Sequence, residues 1–244
     1  MTEAAVVARP TRATAQPLIL AAAIEGIATA FLLLAVVGSG IMGERLAGGN
    51  VALALLANSL ATGGALAALI LAFGPYSGAH LNPAVTLAAV LTSAMRGRVA
   101  LLYIAAQIVG AVAGVWAAHL MFELPLLQLG RHVRSGGGQW LAEAVATFGL
   151  VAVIWGCKAQ RGPATAIAVA AYITGAYWFT ASTSFANPAV TIARAFTDTF
   201  AGIRPEDAPW FILAQAVGSL MALPLIRGME RVSTARGGWA GPEE

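Results

Sequence analysis

The chain has 244 residues, of which 59% are hydrophobic and only 10% charged, with a net charge of +3 and a single cysteine. A soluble domain carries about 25% charged residues, so a water-soluble fold and a disordered chain are both excluded. Cys157 has no partner for a disulfide, and the scattered basic residues exclude a nucleic-acid-binding surface.

Residues 1–16 are polar and contain Arg9 and Arg12, which reads as a short tail. A bilayer core of about 30 Å needs roughly 20 apolar residues in a helix. The first such stretch runs from Pro17 to Val37 with one charge, Glu25. It is too long for the apolar core of a cleaved leader and reads as a retained span. Gly43 to Asn50 reads as a loop, and Val51 to Phe73 as an uncharged second span. Val99 to Phe122, Trp140 to Cys157 and Pro209 to Ile226 supply three more, the second of these carrying Glu143. Pro163 to Ile192 has no charge and is too long for one span. It holds the fifth crossing and the start of something else. Asn82 to Met95 and Asn187 to about Thr197 are apolar but too short to cross. They read as re-entrant half-helices. The expectation is an all-α membrane protein with six spans and two half-helices.

The marks along the chain occur twice in the same order. Glu25, Ala28 and Thr29 match Glu143, Ala146 and Thr147. Asn82-Pro83-Ala84-Val85-Thr86 matches Asn187-Pro188-Ala189-Val190-Thr191. Ala106, Gln107, Val109 and Gly110 match Ala214, Gln215, Val217 and Gly218. Each half holds three spans, an odd number, so the second half enters the membrane in the opposite sense. The domain reading is residues 17–227 in two inverted halves, about 17–120 and 138–227, between polar tails 1–16 and 228–244. Six spans put both tails on one side. If that side is the cytoplasm, Arg9, Arg12, Arg96, Arg98, Lys158, Arg161, Arg227, Arg231 and Arg236 lie inside. Only Arg45, Arg131, Arg134, Arg194 and Arg204 lie outside, which fits the positive-inside bias.

One Asn-Pro-Ala is an ordinary helix start, since Asn caps well and Pro suits the first helical position. Two of them at matching places in an inverted repeat predict helix starts that meet near the midplane. Their dipoles would direct positive ends to the centre. Asn82 and Asn187 would offer amide donors to a neutral solute, and a cation would find no compensating carboxylate.

These residues resemble the major intrinsic protein family, the aquaporins and aquaglyceroporins, over roughly Pro17 to Arg227. Ser77 to Thr86 (SGAHLNPAVT) is similar to the family's first signature, and Phe185 to Val190 (FANPAV) to the second. The second copy departs in having Val190 where the family usually has Arg. The resemblance implies a passive channel for small neutral solutes, a homotetramer, no cofactor, no metal and no enzymatic activity, in the inner membrane of a cell. It also implies a constriction at Thr62, Gly175, Ser184 and Val190, none aromatic or charged. That points to a wide filter for glycerol-like polyols and metalloid hydroxides such as arsenous acid, with water and organoarsenicals as further candidates. A Val here is similar to bacterial members associated with arsenic resistance. The alternatives are a water-selective channel and a coupled secondary transporter.

Glu25 and Glu143 are expected to hold the re-entrant loops rather than relay protons, although a carboxylate at membrane depth is a functional candidate by default. Gln107 and Gln215 are expected to join helices. His80 is expected to fix its loop, with a pH gate as the alternative. Tyr177, Trp178 and Phe179 read as packing or a lipid-facing belt, with a solute cage as the alternative. Arg194 lies one turn beyond Val190 on the same face. Two readings stand side by side: a cation at the outer mouth, or an arginine paired with Asp198.

Overall fold

The computed structural model describes residues 15–157 and 163–237. Its elements are helices α1 (Ala15–Leu46), α2 (Val51–Ser77), α3 (Pro83–Leu91), α4 (Gly97–Met121), α5 (Gly137–Gly156), α6 (Ala164–Phe179), α7 (Pro188–Arg194) and α8 (Ala208–Gly237). There is no strand among the described residues. Five helices, α1, α2, α4, α5 and α8, are long and apolar enough to cross a membrane. The fifth expected crossing is α6, whose 16 residues reach about 24 Å. It is short because the backbone turns extended at Thr180 (ψ 137°) to enter the second re-entrant loop. The chain is a multi-pass membrane protein. Its outer faces agree: Leu101, Val109 and Leu120 are each more than 60% exposed, a waste of apolar surface in water but not in lipid.

Boundaries differ from the reading of the sequence in three places. α1 continues to Leu46, through the first part of the expected loop, and stops where Gly48 and Gly49 take positive φ. Asn50 then caps α2, its Oδ1 accepting from Leu53 N at 3.1 Å. α2 carries Pro75 inside it and runs to Ser77, so only Gly78 to Leu81 is non-helical before Asn82. α8 passes Arg227 and reaches Gly237, where a tail was expected. The N-terminal tail through Thr14, Lys158 and Arg161 lie outside the described residues.

α1 packs on α4 and α2, α5 on α8, and α2 meets α6 at the seam between the halves. The close crossings are built on repeated glycines. A Cβ on Gly110 of α4 would sit 2.0 Å from the Gly26 carbonyl of α1. A Cβ on Gly218 of α8 would sit 2.2 Å from the Ala144 carbonyl of α5. Small residues bring helix backbones together where lipid supplies no hydrophobic drive. α3 and α7 are short, and both pack against α4 and α8. Each thus touches a long helix of either half.

Candidate functional site

The two Asn-Pro-Ala segments start α3 and α7. Asn82 and Asn187 have nearly identical extended backbones (φ −156°, ψ 118° and φ −157°, ψ 113°). Each carboxamide is split between two tasks. Asn82 Oδ1 accepts from Ala84 N at 2.8 Å. Asn187 Oδ1 accepts from Ala189 N at 3.0 Å and Val190 N at 3.3 Å. The Nδ2 groups cross between halves: Asn82 donates to the Ala186 carbonyl and Asn187 to the Leu81 carbonyl, both at 2.7 Å. An amide nitrogen has two N–H donors, so one on each Asn is left for another partner.

The loops before both asparagines are strained. Ala79, Leu81, Thr183, Ser184 and Ala186 all have positive φ between 45° and 60°, a conformation that costs a non-glycine residue about 1–3 kcal/mol. Two fully buried carboxylates hold them. Glu25 accepts from Ser77 Oγ (2.8 Å), His80 N (2.9 Å), Leu81 N (2.8 Å) and Gln107 Nε2 (2.8 Å). Glu143 accepts from Ser182 Oγ (2.5 Å), Phe185 N (2.9 Å), Ala186 N (2.9 Å) and Gln215 Nε2 (2.6 Å). The two glutamines also donate to Thr86 and Thr191, the last residues of the repeated motifs. The donor set is the same in both halves. A carboxylate with every face occupied by fixed donors is arranged to organise backbone.

Between the halves lies a cavity of about 450 Å³. Thr165, Val169, Ile173 and Tyr177 recur every fourth residue along its α6 wall, a stripe of about 18 Å at 1.5 Å per residue. Asn82, Asn187, Thr62, Ser184, Val190, His80 and Arg194 all line it. Among the described residues no carboxylate does, and Arg194 is the one permanent charge in the lining.

Gly175 does not line the cavity and is a correction. It is two residues from Ile173 and from Tyr177, about 200° around the helix from both. Counting back from Asn187 assumes a helix phase that the loop from Thr180 to Ala186 does not keep. Tyr177 packs in the core, as expected, and also reaches the cavity. It is 3% exposed, lines the cavity, and its hydroxyl lies 3.2 Å from Thr62 Oγ1. An aromatic side chain therefore does meet Thr62. Trp178 and Phe179 are about half exposed, on the outer surface.

Arg194 is 2% exposed and does not pair with Asp198. Its Nε donates to the Ala201 carbonyl, and its guanidinium lies 3.4 Å from the Phe185 ring centroid. Asp198 instead pairs with Arg131 at 3.4 Å on the surface. His80 Nδ1 lies 3.1 Å from Thr86 Oγ1, a bond that ties its loop to the first turn of α3.

Two residues escaped the reading of the sequence. Arg134 is buried, donates to the Gly202 and Ser182 carbonyls at 2.9 and 3.3 Å, and lies 5.0 Å from the same Phe185 ring. In the first half the equivalent Ser77 carbonyl is held by Tyr103 at 2.9 Å. His119 bridges Leu126 O and Thr197 Oγ1 at 3.1 and 2.8 Å. Among the described residues no group of three His, Cys, Asp or Glu side chains is placed to hold a metal.

Residues 13–163 match the family described as Major intrinsic protein. The chain is 52% identical to "Aquaglyceroporin AqpS" of Rhizobium meliloti (strain 1021), over 83% of this chain and 87% of that one. It is 30% identical to Aquaporin-5 of Rattus norvegicus, over 69% of this chain and 66% of the relative. Its fold is similar to the X-ray structure of the aquaglyceroporin from Plasmodium falciparum, with a TM-score of 0.63 at 21% identity, covering 88% and 99% of the two chains.

Proposed function

The chain belongs to the major intrinsic protein family, and we propose that its central cavity is a passive passage for small uncharged solutes, glycerol-like polyols and metalloid hydroxides such as arsenous acid among them. It is a channel and not an enzyme. One observation carries the reading. Asn82 and Asn187 stand at opposed helix starts in one cavity, each with an N–H to spare, and no carboxylate among the described residues lines the walls. A solute with oxygen lone pairs can exchange water for those donors. A cation meets two positive helix ends and Arg194, with nothing to compensate.

The likeness to an aquaglyceroporin over most of both chains favours polyols over a water-selective pore. Val190 stands where the family usually has Arg, so the constriction lacks that fixed donor. Arg194 supplies a charge one turn farther along the cavity wall and partly replaces it. In this reading residues 17–227 form the channel, the termini are cytoplasmic, the site is the inner membrane, and the assembly is a homotetramer.

The test is stopped-flow flux into proteoliposomes of purified protein, with a panel of water, glycerol and arsenous acid. Polyol and arsenous acid flux down their own gradients, indifferent to imposed proton or sodium gradients, is the expected result. Flux that needs an ion gradient would make the chain a coupled transporter. Water flux alone would make it water-selective.

A further inference from the structure

The four constriction positions counted from the motifs leave out Tyr177, yet its hydroxyl meets Thr62 in the cavity. The phenol is 3% exposed and its hydroxyl lies 3.2 Å from Thr62 Oγ1. Its phase on α6 is fixed by the lining stripe of Ile173 and Val169, one and two turns below it. We propose that Tyr177 is a specificity-determining residue of the passage, filling the space that Gly175 would have left open and presenting, with Thr62 and Ser184, a set of hydroxyls that selects polyhydroxylated solutes.

The proposal rests on the passage reading above. Its argument is steric and chemical. Thr62 and Ser184 are small, and both line the cavity. A tyrosine is a large side chain that buries about 150–250 Å², so the ring adds bulk beside Thr62 where the small constriction residues would leave room. The polar part is equally specific. Thr62 and Tyr177 have each other as hydrogen-bond partner. Two hydroxyls carry two O–H groups, and one bond between them leaves one O–H uncommitted. Ser184 is 3% exposed and its Oγ has no partner. Three hydroxyls thus offer two uncommitted donors and several acceptor lone pairs in one cavity. A solute bearing neighbouring O–H groups, each both donor and acceptor, answers that set. A lone carbonyl answers only its donors.

Two sets of variants test this in proteoliposomes. The first asks which face of α6 meets the passage. On a Cys157→Ser background, Tyr177→Cys and Gly175→Cys are exposed to a small mercurial, with and without excess glycerol. Block of Tyr177→Cys alone, slowed by glycerol, is expected. Block of Gly175→Cys alone, or of neither, overturns the proposal. The second set asks what the residue selects. Tyr177→Ala should raise the erythritol-to-glycerol flux ratio at least about fivefold, roughly 1 kcal/mol. Tyr177→Phe keeps the ring, so that ratio should hold. It should lower glycerol flux relative to urea, which donates through N–H groups and has no neighbouring O–H pair. Unchanged ratios in both variants overturn the proposal. If Tyr177→Ala fails to reach the membrane, Tyr177→Phe and the cysteine pair decide it. A wild type that passes no neutral solute fails the passage reading itself, whereas a conducting wild type with the reverse cysteine pattern fails Tyr177 alone.

Discussion

Replacing Glu25 by Ala removes the acceptor of four buried hydrogen bonds at once. Two of the donors, Ser77 Oγ and Gln107 Nε2, are side chains that can turn elsewhere. The other two, the backbone N–H groups of His80 and Leu81, are fixed in a loop already strained at Ala79 and Leu81. A buried donor left without a partner costs about 1–3 kcal/mol. The two amides therefore set the loss at about 2–6 kcal/mol, nearer the lower end because a buried charge is also relieved. Glu25→Gln keeps one oxygen. Its new NH₂ must face either the Ser77–His80 pair or the Leu81–Gln107 pair, so one backbone amide is orphaned and the loss halves to about 1–3 kcal/mol. The same values are expected at Glu143, which serves the amides of Phe185 and Ala186. Reversible unfolding in mixed micelles measures these differences. Both variants lying within about 0.5 kcal/mol of wild type, the range of an ordinary surface substitution, would refute the loop-holding role. Near-wild-type stability together with lost ion coupling would assign Glu25 to a proton relay.

The glycine crossings give a sharper steric prediction. Gly110→Val and Gly218→Val place a side chain about 2 Å from the facing carbonyls and should abolish folded protein by detergent gel filtration, while Gly64→Ala, with nothing within 4 Å, should fold normally. Val190→Arg should restore a donor to the constriction and lower glycerol and arsenous acid flux in swelling assays; unchanged flux in a channel that reaches the membrane would remove Val190 from the constriction. Arg194→Gln should change the discrimination between neutral and anionic solutes. Because Arg194 is 2% exposed, that change should persist at high salt, where an exposed charge would be screened.

The doubled Asn-Pro-Ala, the paired Glu and the paired Gln are legible in the amino-acid sequence alone. Each pair sits in the same local context twice, and the repeat itself says the copies must face each other. The failures share one physical cause. Gly175 was reached by counting through Thr180 to Ala186, and a loop with three positive-φ residues does not transmit helical phase. The long-range anchors were unreadable for a related reason. Arg134 reaches Ser182 and Gly202 from 48 and 68 residues away, and nothing local in its stretch of chain marks it as buried. Of the two readings of Arg194, the face shared with Val190 follows from their spacing, whereas a pairing with Asp198 rests only on nearness in the chain. The chain offered the Ala201 carbonyl and the Phe185 ring instead.

The crossed hydrogen bonds of the two asparagines also bear on how the chain is made. The amide of Asn82 waits for a carbonyl 104 residues later, and the carbonyl of Leu81 for an amide 106 residues later. At about 5–20 residues per second, translation takes on the order of 5–20 s to cover that interval. During this time the first half lies in the bilayer with an open donor and an open acceptor at mid-depth, where little water is at hand to occupy them. Neither half is a finished module on which the other is later stacked. A nascent chain cut between α4 and α5 would leave an unfilled polar notch in lipid, the kind of lesion that membrane quality control can recognise, and not a smaller channel.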